Sequence, residues 1–300
     1  MNVFRQTRRQ MLLDAGRAAA TILFTASCRS LASEKTISQA AGSTGFKIGV
    51  CDWSLKKNAD PAVFEAAKKI GFDGVQVSMF SVKNNIYLQK EDVRESFLEA
   101  AKKFRLEVAS LAIGELNGIP YKSDARAEQW VAESIDVCKA LGTNMVLIPF
   151  FGKGELRNDS AGVAVVVERL KRIAPKAEKA GVFLALESYL NAEQSLDIIG
   201  RVGSPSVKVY YDVANSTKAG YDIFKEIRTL GSEHICQFHA KDYKGMLGQG
   251  EIDFQKVRQA IDDIGYRGWI VAEPAKIPLG IEETCRKDLQ YLREIFPPGV

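Results

Sequence analysis

The sequence predicts a single α/β domain, a (β/α)8 TIM barrel over residues 46–296. Three observations lead there. Eight apolar, β-branched runs of six to eight residues recur along the chain, separated by segments of helical period. Glycine repeatedly closes those helical segments, where a left-handed C-terminal position favours it. No GxGxxG turn follows the first run, as an open dinucleotide-binding sheet would carry, and eight successive strand–helix units close a barrel.

The strands fall in order at 46–53 (FKIGVCDW), 72–79 (FDGVQVSM), 106–113 (LEVASLAI), 144–151 (NMVLIPFF), 182–187 (VFLALE), 207–213 (VKVYYDV), 234–240 (HICQFHA) and 268–273 (GWIVAE). They read as buried parallel strands, covered on both faces. The first helical segment, 61–70, opens with Asp60-Pro61, which puts proline in a first turn, where it is tolerated. Segments 91–104, 125–141 and 161–180 keep apolar residues at i, i+3, i+4 spacing. Ser123-Asp124 and Asp159-Ser160 offer side-chain caps to the last two. Gly71, Gly142, Gly181, Gly231 and Gly265 mark helix ends.

Residues 1–28 read differently. The stretch RQTRRQMLLDAGRAAATILFTASC begins basic, carries Arg8-Arg9 and turns apolar from Ala18 to Ala26. That is the layout of a twin-arginine-type secretory signal, too short to stay as a membrane span; the competing reading is an amphipathic N-terminal helix. Thr25-Ala26-Ser27-Cys28 resembles a lipoprotein cleavage box, with threonine where leucine is usual, so Cys28 is a candidate lipid anchor. Residues 29–45 form a linker. The expected location is therefore the periplasm, or the cell envelope through that anchor, with no other membrane contact. Losing residues 1–28 removes four arginines and one aspartate, so the formal charge drops from +4 to about +1. A near-neutral chain has no electrostatic footprint for nucleic acid. Cys51, Cys138, Cys236 and Cys285 show neither a CxxC pair nor metal-ligand spacing and read as buried free thiols.

In such barrels the chemistry sits at the C-terminal ends of strands. Strand five ends at Glu187, strand six at Asp212 with Asn215 beyond it, strand seven at His239, Lys241 and Asp242, and strand eight at Glu273. Each of Glu187, Asp212, His239 and Glu273 is separated from the next by one strand–helix unit, so all four converge on one point. Three carboxylates and an imidazole make a hard, mostly oxygen site suited to one Mn²⁺ or Mg²⁺, with Co²⁺, Fe²⁺ or Zn²⁺ as further candidates. Without a cation the carboxylates would repel. Taken singly, each residue has a plainer reading as a helix cap, a loop charge or core packing.

The segments LALESYLN, YYDVANS, FHAKDYKGMLGQGEIDF and IVAEPA make the chain resemble the xylose isomerase-like barrels, the superfamily of sugar isomerases and 3-epimerases that also contains endonuclease IV. The resemblance covers roughly residues 46–296. It implies that Glu187, Asp212, His239 and Glu273 hold one divalent metal, with Glu187 and Glu273 as the acid/base pair, and that the glycine loop after His239 leaves space over the metal. The implied activity is a sugar isomerase or epimerase that moves a proton through an enediolate on a small carbohydrate. Trp53 and Phe150-Phe151 are candidates to wall the pocket; Gln76, Asn191, Asn215 and Lys241 are candidates to bind substrate, with Lys241 equally able to pair with Asp242. Segment 154–160 (GELRNDS) is read as a loop over the mouth.

Two departures weaken a free-ketose 3-epimerase assignment. Asn215 stands where many of the epimerases carry histidine, and Gly245 where they carry arginine. Endonuclease IV needs several histidines for three zincs, and this chain has two. An exported enzyme points to glycosides, oxidised sugars or polysaccharide fragments. A metal-dependent lyase or hydratase on keto-sugars or glycosides, and a non-catalytic carbohydrate-binding barrel, are the alternatives.

Overall fold

The computed structural model describes residues 45–82 and 85–299. The expected signal segment, the Cys28 anchor and the linker up to residue 44 lie outside those residues. Eight parallel strands close a barrel: β1 (Lys47–Cys51), β2 (Gly74–Ser78), β3 (Glu107–Ala112), β4 (Met145–Phe150), β5 (Phe183–Ser188), β6 (Val207–Asp212), β7 (Ile235–Ala240) and β8 (Trp269–Ala272), with β8 pairing back onto β1. Helices α1 (Val63–Ile70), α2 (Glu91–Phe104), α3 (Ala125–Ala140), α4 (Ser160–Ala180), α5 (Ala192–Val202), α6 (Val213–Lys218), α7 (Ile223–His234), α8 (Phe254–Asp263) and α9 (Ile281–Ile295) connect and flank them. A short antiparallel ribbon, Phe80–Ser81 with Ile86–Tyr87, follows β2. Among the described residues no helix is long and apolar enough to cross a membrane.

The core has two shells. Outward-facing strand residues such as Ile48, Val75, Leu111, Val146, Leu184 and Phe238 pack on the helices. Inside the barrel, Met145, Leu147, Phe183, Ala185, Tyr210 and Cys236 fill the lumen. At the N-terminal end, Trp269 closes the floor over Gly49 and Gly74.

All eight expected strands form, and their ends show what local chemistry trims. β1 stops at Cys51 because the next residues wind into a 3-10 turn, Asp52–Leu55. Asp124 and Asp159 cap α3 and α4 as expected, accepting from Arg126 N and Gly162 N. The Asp60-Pro61 start differs: α1 begins at Val63, and Asp60 instead accepts from Ala62 N in the preceding turn. Gly71 and Gly181 take left-handed C-terminal conformations. Gly231 does not: its φ of 65° and ψ of 171° break α7 before His234, so β7 begins one residue later than the sequence suggested. Cys51, Cys138, Cys236 and Cys285 are buried free thiols.

Gly74 is required by close approach. A Cβ there would lie 2.5 Å from the Glu107 carbonyl oxygen and 2.6 Å from the Trp269 ring, whereas at Gly114 it would meet nothing within 4 Å. Gly74→Ala should therefore lower stability by about 1–3 kcal/mol, and Gly114→Ala by less than about 0.5 kcal/mol, as read by urea denaturation. Equal effects would show that the floor yields to a methyl group.

Candidate metal centre

Strand register brings the predicted residues together. Asp212 pairs with His239 across β6 and β7, and His239 with Val271 across β7 and β8, so Glu273, two residues further on, points the same way as Val271. Glu187 enters from β5, opposite Pro149 of β4. One ligand atom from each of Glu187, Asp212, His239 and Glu273 lies within 4.8 Å of all the others. His239 Nδ1 faces all three acids, at 3.1 Å from Glu187 Oε1, 3.4 Å from Glu273 Oε2 and 3.7 Å from Asp212 Oδ2.

Asp212 supplies the observation that tests whether a cation fits. Its Oδ1 is used, accepting from Ala214 N and Asn215 N at the start of α6. Its Oδ2 is buried without a hydrogen-bond partner and points into the cluster. An unpaired buried carboxylate oxygen carries a large desolvation cost. Burial, with Glu273 and Glu187 nearby, pushes the Asp212 carboxyl well above its usual range despite the ammonium of Lys241. For Glu273, burial also works upward, but His239, Lys241 and the Trp53 hydrogen bond outweigh it and hold the carboxyl below its usual range. Lys241 sits 3.0 Å from Glu273 Oε2 and 3.7 Å from Asp212 Oδ2. Burial works against its ammonium, yet these acids raise it above the ordinary lysine range. Three carboxylates against one ammonium leave two negative charges, which one divalent cation neutralises. Three oxygen donors and one imidazole fit a hard divalent cation.

Beneath the cluster, a chain of buried hydrogen bonds fixes the histidine tautomer. A backbone carbonyl only accepts, so Gln237 Nε2 donates to Ala109 O (3.2 Å), which turns Gln237 Oε1 toward Ser110. Ser110 Oγ donates to that oxygen (2.6 Å) and accepts from Gln76 Nε2 (2.8 Å). Gln76 Oε1 therefore faces His239 Nε2 at 2.7 Å, and that nitrogen must carry a proton. Burial works against an imidazolium here, yet Glu187, Glu273 and Asp212 favour a proton on Nδ1; with a cation in that proton's place, the neutral ring would give it the Nδ1 lone pair, as a metal ligand requires.

The remaining candidates divide. Trp53, Asn215 and Lys241 line the cavity above the cluster. Trp53 Nε1 donates to Glu273 Oε1 at 3.1 Å. Asn215 Nδ2 donates to Glu187 Oε1 at 3.2 Å, its amide oriented by the Tyr243 hydroxyl, which donates to Asn215 Oδ1 at 2.6 Å. Phe151 lines the cavity beside Tyr189, whereas Phe150 is buried against Tyr121. Gln76, expected to bind substrate, is instead buried under His239, on the far side from the cavity mouth. Asn191, also expected to bind substrate, forms the capping box of α5 with Gln194, and its side chain is absent from the cavity lining. Lys241 pairs with Glu273 and Asp212 rather than Asp242. The glycines after His239 do not open space above the cluster: a Cβ at Gly250 would lie 2.1 Å from the Asp242 carboxylate, around which the loop closes through Lys244 N and Ile252 N. Ser110, Gln237 and Tyr243 were missed, the first two because strand irregularities turn them inward.

The description "xylose isomerase-like TIM barrel" belongs to a family model that matches residues 64–295. A 2-epi-5-epi-valiolone 7-phosphate 2-epimerase from Actinoplanes sp. is 24% identical over 200 residues, 65% of this chain and 72% of that protein. A D-psicose 3-epimerase from Enterocloster bolteae is 22% identical over 275 residues, 84% of this chain and 89% of that protein. Among solved structures, D-psicose 3-epimerase with D-tagatose from Clostridium cellulolyticum H10 superposes with a TM-score of 0.70 at 17% identity, over 83% of this chain and 99% of that one.

Loss of the hydrogen bond that fixes His239 should weaken metal binding by about 10- to 100-fold. Gln76→Leu, titrated against Mn²⁺ in a metal buffer, checks this. An unchanged affinity in a folded variant would reduce the buried chain to packing.

Proposed function

The chain belongs to the xylose isomerase-like TIM barrels, and from that premise we propose that it is a divalent-metal-dependent sugar isomerase or epimerase, moving a proton beside a carbonyl through an enediolate. The observation that carries the reading is the buried cluster of Glu187, Asp212, His239 and Glu273 at the base of a cavity of about 890 Å³, with Asp212 Oδ2 lacking a partner. The relatives described as epimerases of D-psicose and of a valiolone phosphate support it.

A divalent cation held by these four residues would draw electron density from a substrate carbonyl and favour loss of the neighbouring proton. The chain's own groups supply the proton movement. Glu187 on β5 and Glu273 just past β8 reach the cavity from positions three strands apart, so their carboxylates approach a bound carbon from different sides. One removes the proton and the other returns one. Their settings differ: Glu273 is held ionised by Lys241 and anchored by Trp53, while Asn215 steadies Glu187 with a neutral amide. Trp53, Phe151 and Tyr189 offer apolar faces to the C–H surface of a sugar ring, and Lys241 and Asn215 offer donors to its hydroxyls.

Elemental analysis of the chain lacking residues 1–28 should find about one divalent ion per chain, and NMR in D2O should show solvent deuterium entering a ketose. Glu187→Gln and Glu273→Gln should each cut that exchange by about 100-fold or more. A site still empty after incubation with Mn²⁺, Co²⁺ and Zn²⁺, or full exchange in both variants, would sink the reading. A sugar bound without any exchange would indicate a carbohydrate-binding barrel. Export to the periplasm or anchoring at the envelope is a separate proposal, supported by Arg8-Arg9 and the apolar stretch after them. Replacing both arginines with lysine should leave the protein in the cytoplasmic fraction, and unchanged fractionation would refute export by the twin-arginine route.

A further inference from the structure

The metal cluster takes up one side of the base of the cavity. Its residues come from β5 to β8. Across the barrel, the segments after β1, β2 and β3 line the same cavity with a second polar set: Lys57, Asn58, Asp60, Ser81, Glu115 and Asn117. The cavity's roughly 890 Å³ lies near the top of the ~300–1,000 Å³ range of pockets that enclose drug-sized ligands. A single six-carbon sugar seated between Glu187 and Glu273 leaves the opposite wall without a ligand.

That wall is built, not incidental. Asp52 is fully buried, and its carboxylate accepts from Ser78 N (2.6 Å), Ser78 Oγ (2.7 Å) and Ala59 N (2.9 Å). Its backbone oxygen accepts from Lys57 N (3.0 Å). These bonds hold segment 56–60 with two non-glycine residues in the left-handed region, Lys56 at φ 57° and Ala59 at φ 50°, a conformation that persists only where the surroundings enforce it. The adjacent Trp53 donates to Glu273, so one buried carboxylate fixes the wall relative to the cluster. Burying a carboxylate and retaining strained backbone are both costs that a mere connection avoids.

The wall's charge indicates what it takes. Lys57 lies 4.0 Å from Asp60, and burial pushes the Glu115 carboxyl up to about 7. Two lysines, Lys56 and Lys57, are set against two acids, Asp60 and Glu115, with amides and a hydroxyl between them. Donors and acceptors in near balance suit a neutral, hydroxylated ring better than a phosphate or carboxylate.

We propose that this wall is a second sugar subsite and that the substrate is a neutral glycoside or disaccharide, one ring lying at Glu187 and Glu273 and the next at Lys57, Asn58 and Glu115. The inference rests on the isomerase reading, which decides the ring that sits at the cluster. Calorimetry on the metal-loaded chain, with D-fructose, D-fructose 6-phosphate and the keto-disaccharides lactulose and isomaltulose, tests it, with deuterium exchange followed in parallel. At least one disaccharide should bind tenfold or more tighter than D-fructose, and the Lys57→Ala/Asn58→Ala variant should lose that preference while keeping its metal content. Equal affinity for mono- and disaccharides overturns the subsite, as does a variant that keeps the preference. Tightest binding of the phosphate overturns the neutral ring. Disaccharide binding with no exchange keeps the subsite and removes the isomerase reading; exchange of D-fructose without a disaccharide preference does the reverse.

Discussion

Buried negative charge at the mouth of the barrel is the constraint to which the surrounding structure answers. Two unit charges 4.8 Å apart repel by about 3–4 kcal/mol at an effective dielectric of about 20, and three acids share this site. Four sets of donors are spent on them. Lys241 takes Glu273, Trp53 takes its other oxygen, Asn215 takes Glu187, and the first amides of α6 take Asp212 Oδ1. One buried oxygen, Asp212 Oδ2, is left over, beside the only ring nitrogen that faces all three acids. The arrangement is that of a site whose last partner is a cation.

The same constraint explains which residues have to be rigid. A ring nitrogen turned the wrong way would bring a proton, not a lone pair, to the ligand position. The buried chain from Ala109 through Gln237, Ser110 and Gln76 prevents this with neutral groups alone. No further charge is added under a cluster already rich in charge, which suits a low-dielectric interior.

The barrel was legible because its strands are apolar on both faces and its loops carry caps and glycines, signals that act locally. Glu187, Asp212, His239 and Glu273 were legible because register in a parallel barrel repeats with each strand–helix unit, so equal strand-end positions imply convergence. Side-chain commitments made across space were not. Asn191 could be a donor to substrate or a cap, and only the partner, Gln194, decides. Glycines after a ligand could mean openness, whereas Gly250 is small because Asp242 fills the space where its side chain would stand. Lys241 and Asp242 are neighbours in sequence, yet they serve different masters: Lys241 the cluster, Asp242 the loop beyond it.

Two strand irregularities decide where chemistry can sit at all. Strict alternation from Ile235, which packs on the helices, would turn Cys236 inward, Gln237 outward and His239 outward as well. Instead the register slips between Val209 and Tyr210, so Tyr210 pairs with Gln237 and Cys236 is the extra residue. Cys236 and Gln237 then both face the lumen, Phe238 and Ala240 face the helices, and His239 reaches the acids. β3 repeats the device: Val75 pairs with Val108 but Gln76 with Ser110, so Ala109 is the extra residue and Ser110 turns inward to meet Gln76. The slip in β7 delivers the ligand, and the slip in β3 delivers the serine that orients it. Without the slips, and with Ile235 and Val108 still packed on the helices, regular alternation would turn His239 and Ser110 outward and dismantle the site, because the fold depends on the strands while the chemistry depends on their phase.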